Sequence, residues 1–259
     1  MTEWNAESYR ECSSLQQTMA AEVLQSLDIT SSERVLDIGC GDGRITAEIA
    51  RRVPQGFVVG VDASSNMIKL ASEKAGPNLR FEVADARSLP FDHEFDLVVS
   101  FNALHWIHEP ALALASIHKS LKPGGTARLR LVPVGTRKSI ETVLEETRNS
   151  PMWSKYFYDF SDPYLRLTQD EYCSLARQNG FRVERVQTES KTWNFRTRPE
   201  FFAFSSVTMV EWTKRLPESL RSPFITDVLD KYQSAAAEKP GEDNTFKFYQ
   251  MTVVLTALA

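Results

Sequence analysis

Residues Arg34-Val-Leu-Asp-Ile-Gly-Cys-Gly-Asp-Gly-Arg44 decide how this 259-residue chain is read. Three apolar residues, Val35, Leu36 and Ile38, lead into glycines at 39, 41 and 43, and an apolar helical spacing (Ile45, Ile49, Ala50, Val53) follows at once. The pattern is a strand, a tight turn and a helix. Glycine suits such a turn because the backbone visits angles that a side chain forbids and because a ligand approaches the main chain closely. A glycine-rich turn alone is unspecific, since nucleotide, flavin and nicotinamide sites all use one. Here the spacing is Gly-x-Gly-x-Gly, with Asp37 just before it and Asp42 inside it. Carboxylates so placed repel a pyrophosphate and suit a ligand with a cationic end.

Outward from the turn, Phe57 to Asp62 reads as a second strand ending in an acid about 20 residues on, where a carboxylate accepts hydrogen bonds from ribose hydroxyls. Residues 79–84 read as a third strand, followed by Asp85 and Ala86. Helices are expected over 44–52 and 65–75. A fourth strand over 95–101 runs into Asn102-Ala-Leu-His-Trp106, and a helix from Glu109-Pro110 to Leu121 is stopped by Lys122-Pro-Gly-Gly125. The fifth strand is expected over 126–132. Strands alternating with helices imply parallel pairing with right-handed crossovers, a doubly wound α/β sheet.

Beyond it, helices are expected over 138–149 and 168–179, with an irregular aromatic segment at 150–167. Two further strands, 181–188 and 246–256, complete seven. Roughly 55 residues separate those two, far more than a hairpin turn needs. The insert is rich in Phe and Trp and reads as two or three helices roofing the carboxyl ends of the strands, where open α/β sheets bind ligands. An amphipathic helix or broken helix pair is expected over 3–27. The chain is therefore read as one domain, 1–259, with an N-terminal helical segment (1–30) and a helical lid (about 190–245).

The set Val35–Gly43, Val59–Ser64, Phe81–Ala86, Phe95–Trp106 and Leu121–Gly125 resembles, in order and spacing, the motifs of class I S-adenosylmethionine-dependent methyltransferases. The resemblance implies a Rossmann-like seven-stranded sheet with an antiparallel C-terminal edge strand, and S-adenosylmethionine as cofactor. Asp62, with Ala63 beside it, is expected at the ribose, and Asp85 with the Ala86 backbone at the adenine edge. Gly39, Gly41 and Asn102 are expected to line the methionine moiety through backbone groups. Asp37 holds either the turn or the amino group, and Cys40, a small filler of the cofactor turn, is counted with the cofactor-binding residues. No metal ligand set is expected.

A narrower resemblance, to juvenile hormone acid O-methyltransferases and more distantly to trans-aconitate methyltransferases, rests on Tyr9-x3-Ser13-x-Leu15-Gln16, Leu104–Ile107, Trp153–Tyr156, Ser161-x-Pro163-Tyr164, Asn179–Phe181 and Phe246–Tyr249. Both families methylate carboxylates, and the resemblance implies that Gln16 and Trp106 grip the acceptor. The chemistry agrees: an amide and an indole N–H are neutral donors that fix one carboxylate oxygen and leave the other aimed at the methyl group. A carboxylate acceptor needs no base. An acceptor hydroxyl, amine or carbon would need one, and His105, or less well His108, is the candidate. A non-catalytic S-adenosylmethionine sensor and a nicotinamide oxidoreductase are the readings from other classes.

Composition bounds the partners. Hydrophobic residues make up 42% and charged residues 25%, enough for a full core. A formal charge of −4 with no basic cluster argues against nucleic acid as substrate. No apolar run reaches the length of a membrane span. The three cysteines, Cys12, Cys40 and Cys173, cannot all pair and show no metal spacing, and no signal-peptide pattern opens the chain. These features lead to the expectation of a cytoplasmic enzyme, monomer or homodimer, acting on a small carboxylic acid with an apolar body. Arg196 and Arg198 are the candidates to meet a second carboxylate.

Overall fold

The computed structural model describes residues 14–237 and 242–259. Tyr9, Ser13 and the side chain of Gln16 lie outside the described residues. Five strands, β1 (Arg34–Ile38), β2 (Phe57–Asp62), β3 (Leu79–Val83), β4 (Phe95–Phe101) and β5 (Leu121–Leu131), pair in parallel in the order β3-β2-β1-β4-β5. The sheet continues through β7 (Thr245–Ala257), antiparallel to both neighbours, to β6 (Phe181–Asn194). The C-terminal antiparallel strand is thus the last but one, and β6 forms the edge. Val35, Leu36, Val58, Val59, Leu97 and Val98 are all essentially inaccessible, because helices cover both faces of the central strands.

Those helices are α1 (Ser14–Ser26), α2 (Arg44–Arg52), α3 (Ser65–Ala71), α4 (Pro110–Ser120), α5 (Ile140–Arg148) and α6 (Gln169–Gln178). Four of them begin for a legible reason. Ser64, Ser139 and Thr168 cap α3, α5 and α6 with side-chain oxygens, and Thr168 forms a full capping box with Glu171. Pro110 occupies the first turn of α4, where its missing N–H costs nothing. The strand order reverses between β1 and β4, so their carboxyl ends open the crevice where doubly wound sheets bind ligands.

Two strands differ from the sequence reading. β5 begins at Leu121 rather than 126: buried Leu121 pairs with Phe95, the register slips, and Thr126 resumes opposite Leu97. β6 runs to Asn194 instead of 188, because residues 189–194 pair in unbroken register with 245–250 of β7. β6 and β7 make a ribbon whose tip carries the lid. In the lid, α7 (Arg198–Thr208) and α8 (Val210–Thr213) are followed by α9 (Glu218–Ala236), which runs through Pro223. The proline's local cost of about 3 kcal/mol is offset by one buried face, Phe224, Ile225, Val228, Leu229, Tyr232 and Ala236.

The lid has a hydrophobic core of its own. Phe201, Trp212 and Phe224 pack there with Trp153 and Phe157 from the irregular segment and Val143 and Leu144 from α5. Much of the aromatic content of the insert and of the irregular segment goes into this core: Phe195 stacks on Phe201 at 4.9 Å, and Trp153 meets Phe224 edge-on at 5.1 Å. No described helix is long and apolar enough to cross a membrane.

Candidate active site

The glycine turn after β1 is held by main-chain bonds: the N–H groups of Gly39 and Cys40 both donate to the Val61 carbonyl, at 2.8 and 3.0 Å. Gly39 (φ 74°) and Gly41 (φ 54°) lie in the left-handed region, and the space around them differs. A Cβ on Gly39 would sit 2.2 Å from the Ala103 Cβ, so this glycine lets β1 approach the segment after β4. A Cβ on Gly41 would meet nothing within 4 Å, so this glycine leaves room for a ligand.

That room is a cavity of about 720 Å³ running along the carboxyl ends of β1 to β4, lined by Gly39, Gly41, Asp62, Ala63, Asp85, Ala86 and Asn102 among others. Asp62 is set for acceptance: Oδ2 takes the Gly41 N–H at 3.0 Å and Oδ1 takes the Ser64 N–H at 2.9 Å. A carboxylate oxygen accepts more than one hydrogen bond, so a ligand hydroxyl in the cavity is a suitable further donor to it. Asp85 is chelated by the Arg87 guanidinium, with Nε 3.0 Å from Oδ1 and Nη2 2.6 Å from Oδ2, which holds its carboxyl below the usual range. Asn102, at φ 58°, donates its N–H to the Arg130 carbonyl at 2.8 Å, a bond that pins the turn after β4.

Asp37 and Cys40 are placed differently. Neither is among the cavity-lining residues: both side chains are buried beneath the turn, 2% and 8% exposed. Asp37 Oδ2 accepts the Thr46 hydroxyl at 2.7 Å, tying β1 to the first turn of α2, so of its two candidate roles the structure gives the turn. Burial pushes the Asp37 carboxyl up to about 7, against the Thr46 hydrogen bond, with the Asp62 charge adding to the rise. Burial also pushes the Cys40 thiol well up, which keeps it unreactive. A carboxyl raised on folding binds its proton more tightly in the native state. Its stabilisation is therefore complete below the unfolded pKa near 4 and is lost as pH rises towards 7. Asp37→Asn, which keeps an acceptor for Thr46, is expected to remove a slope of up to about 1.4 kcal/mol per pH unit over that window, as read by denaturant titrations at stepped pH.

A second cavity, about 160 Å³, lies between the sheet and the lid. Its walls come from α1 (Leu15, Met19), α5 (Ile140, Leu144), the lid (Phe204, Met209, Trp212) and β7 (Phe246, Phe248). Asn102 and Trp106 line both cavities, so the two spaces meet there. Trp106 packs against Tyr164 with ring centroids 4.2 Å apart, and Tyr164 stacks on His105 at 5.4 Å. His105 is 7% exposed and its Nδ1 is buried without a hydrogen-bond partner. Burial, with the Arg166 charge a lesser cause, pushes its imidazole down to about 3, so the ring is neutral at physiological pH.

The sequence-predicted residues therefore gather as follows. Gly39, Gly41, Asp62, Ala63, Asp85, Ala86 and Asn102 surround one cavity, His105 faces the other, and Trp106 stands between them. His108 is exposed at the rim of the larger cavity. Arg196 and Arg198 line neither cavity; Arg198 bonds Asp230 and Gln233 and fastens α7 to α9. Glu141 and Gln250 line the smaller cavity and Glu211 of the lid the larger, and the sequence reading had not singled out these three. A signal existed for Gln250. It shares a β7 face with Phe246 and Phe248, and a polar side chain in the register of an apolar face calls for explanation.

Known proteins share this architecture. Residues 35–125 match the family model described as "Methyltransferase domain". The 235L methyltransferase homologue of Invertebrate iridescent virus 6 is 30% identical, over 89% of this chain and 86% of its own length. The trans-aconitate 2-methyltransferase of Deinococcus radiodurans is 33% identical over 56% of this chain and 55% of that enzyme, so the match spans about half of it. Among solved structures, protein BH2331 of Bacillus halodurans superposes with a TM-score of 0.65 at 18% identity, covering 93% of this chain and 99% of that one. The phosphoethanolamine N-methyltransferase 2 of Haemonchus contortus, in complex with S-adenosylhomocysteine, superposes at 0.60, with 18% identity over 94% of this chain and 53% of that one.

Proposed function

Because this chain belongs to the class I S-adenosylmethionine-dependent methyltransferases, we propose that it methylates the carboxylate oxygen of a small, largely apolar acid, giving a methyl ester. The observation that carries this reading is the meeting of the two cavities at Asn102 and Trp106. S-adenosylmethionine supplies an electrophilic methyl group on a cationic sulfonium. The residues present fit that cofactor: Gly41 leaves space, Asp62 offers a fixed carboxylate for ribose hydroxyls, and the Ala86 backbone offers hydrogen bonds to the adenine edge. The acids Asp62, Asp85, Glu109 and Glu211 line the cavity together with Arg87, which pairs with Asp85 and Glu109, and the net negative balance of that lining favours a cationic occupant.

At the junction the chain's task is to strip water from the acceptor and hold its oxygen about 3 Å from the methyl carbon. Trp106, placed by the short turn Leu104–Trp106, and Gln16, on α1, are the proposed donors to one carboxylate oxygen. The trans-aconitate relatives support a carboxylate acceptor. Trans-aconitate itself fits poorly, because among the described residues the only charged wall of the acceptor cavity is Glu141, and Arg196 and Arg198 lie elsewhere. A second carboxylate buried there would meet no lysine or arginine among the described lining residues.

His105, held near 3 and neutral, is a weak base, which disfavours the reading that requires it. Glu141 supports a second reading, an amine or hydroxyl acceptor deprotonated by that carboxylate. One experiment separates these. Labelled cofactor is offered with panels of acids, phenols and amines, and with a medium-chain acid competing against aconitate at equal concentration. Methyl esters of the apolar acid are expected, with a rate showing no inflection near the ordinary imidazole pKa of about 6.5. Exclusive turnover of amines or phenols, abolished in Glu141→Gln, would establish the second reading. Preference for aconitate would refute the apolar acceptor.

A further inference from the structure

Gln250 is 3% exposed, lines the acceptor cavity, and has no hydrogen-bond partner for either its Oε1 or its Nε2. Native proteins rarely leave even one atom of a buried amide unpaired, because each costs the full desolvation of a polar group. Here both are unpaired, on a strand face that presents Phe246 and Phe248 to the same cavity. Leucine would fill the same volume without that cost. The carboxamide is accounted for if the cavity's occupant completes its hydrogen bonds.

The chemistry of that occupant follows from the pair of atoms. A carboxamide presents one acceptor and one donor side by side, and its complement is a single uncharged group with both, a hydroxyl or another carboxamide. A carboxylate would satisfy Nε2 alone and would share the cavity with Glu141. An ammonium would satisfy Oε1 alone.

Position adds a length. Met251, the next residue, pairs with Leu131 of β5, and the Arg130 carbonyl of β5 accepts the Asn102 N–H after β4. Gln250 thus stands two strands away from Asn102, roughly 10 Å at the usual strand spacing. We propose that Gln250 is a specificity-determining residue, which holds a second, uncharged polar group, a hydroxyl or carboxamide, at the end of the acceptor remote from the reacting carboxylate. This rests on the acceptor-site reading above and narrows its substrate class to apolar acids oxygenated at the far end.

The test measures binding, by calorimetry with S-adenosylhomocysteine present, of a medium-chain fatty acid, its ω-hydroxy counterpart and the corresponding diol, to wild type and Gln250→Leu. The wild type is expected to prefer the ω-hydroxy acid to the plain acid about tenfold or more, and Gln250→Leu to abolish that preference. Ligand-free Gln250→Leu is expected to melt at or above the wild-type temperature, since it removes two unpaired buried atoms. The proposal is overturned by melting several degrees lower, by a hydroxyl preference that survives in Gln250→Leu, or by a wild type that binds no hydroxylated probe or binds both acids equally. If the diol binds and weakens in Gln250→Leu while neither acid binds, the carboxylate reading falls and the Gln250 subsite stands. If both acids bind equally to both proteins and are esterified, the subsite falls and the carboxylate reading stands.

Discussion

Asp62→Ala is expected to weaken binding of S-adenosylmethionine and of its demethylated product by at least tenfold. Hydrogen bonds to a charged acceptor contribute about 1.5–3 kcal/mol each, and this carboxylate serves more than the ligand. It also accepts the Gly41 N–H from the glycine turn and the Ser64 N–H at the start of α3. Removing it takes away the proposed ribose acceptor and leaves two main-chain donors of the cavity wall without their partner. Asp62→Asn keeps one acceptor oxygen and replaces the other with a donor, so its affinity should fall between wild type and alanine. Calorimetry with both nucleosides measures the ladder, and unchanged affinity in a folded Asp62→Ala protein would refute the assignment of Asp62 to the ribose.

Trp212→Ala is expected to destabilise the protein by about 3–5 kcal/mol, the range for losing a buried large aromatic. The indole is fully buried in the lid core, packs on Tyr164 at 5.6 Å and on Phe160 at 5.7 Å, and donates Nε1–H to Glu145 of α5 at 3.0 Å. Truncation would open a void beside the acceptor cavity and strand a carboxylate oxygen. Because the lid core also draws on α5 and the segment around Trp153, the loss should appear in the main unfolding transition as well as in acceptor binding. Denaturant titration followed by near-ultraviolet circular dichroism reads the first and calorimetry the second. A separate low-stability transition confined to the lid, with the main midpoint unmoved, would show that the two cores unfold independently.

The cofactor half was legible in the sequence because its signals are local. Gly39, Gly41 and Gly43 mark a turn whose backbone angles only glycine adopts without strain, and all three have positive φ. Asp62 and Asp85 follow apolar runs that end as strands at the same edge of the sheet, and short-range geometry carries both into one cavity. Asn102 and Trp106 were found the same way, as the residues just past the fourth strand.

What only the tertiary structure decided depends on residues far apart in the chain. The polar stretch 189–194 is strand because 245–250 lies beside it, and a backbone partner leaves no trace in the side-chain pattern of one strand alone. Asp37 and Cys40 belong to the cofactor turn in sequence, but the packing of α2 and the neighbouring strand buries them beneath it. The lid aromatics had to be divided between a core and a pocket wall, and only the fold shows the division: Phe201 and Phe224 supply the core that helices on a ribbon need. Arg196 and Arg198 belong to the lid in sequence and line neither cavity, whereas Glu141 and Gln250, more than a hundred residues apart, line the same one. Sequence by itself determined the family, the cofactor and the parallel half of the sheet, since each is written in contiguous motifs. The proposed acceptor cavity lies where α1, α5, the lid and β7 converge, and that convergence exists only once the chain has folded.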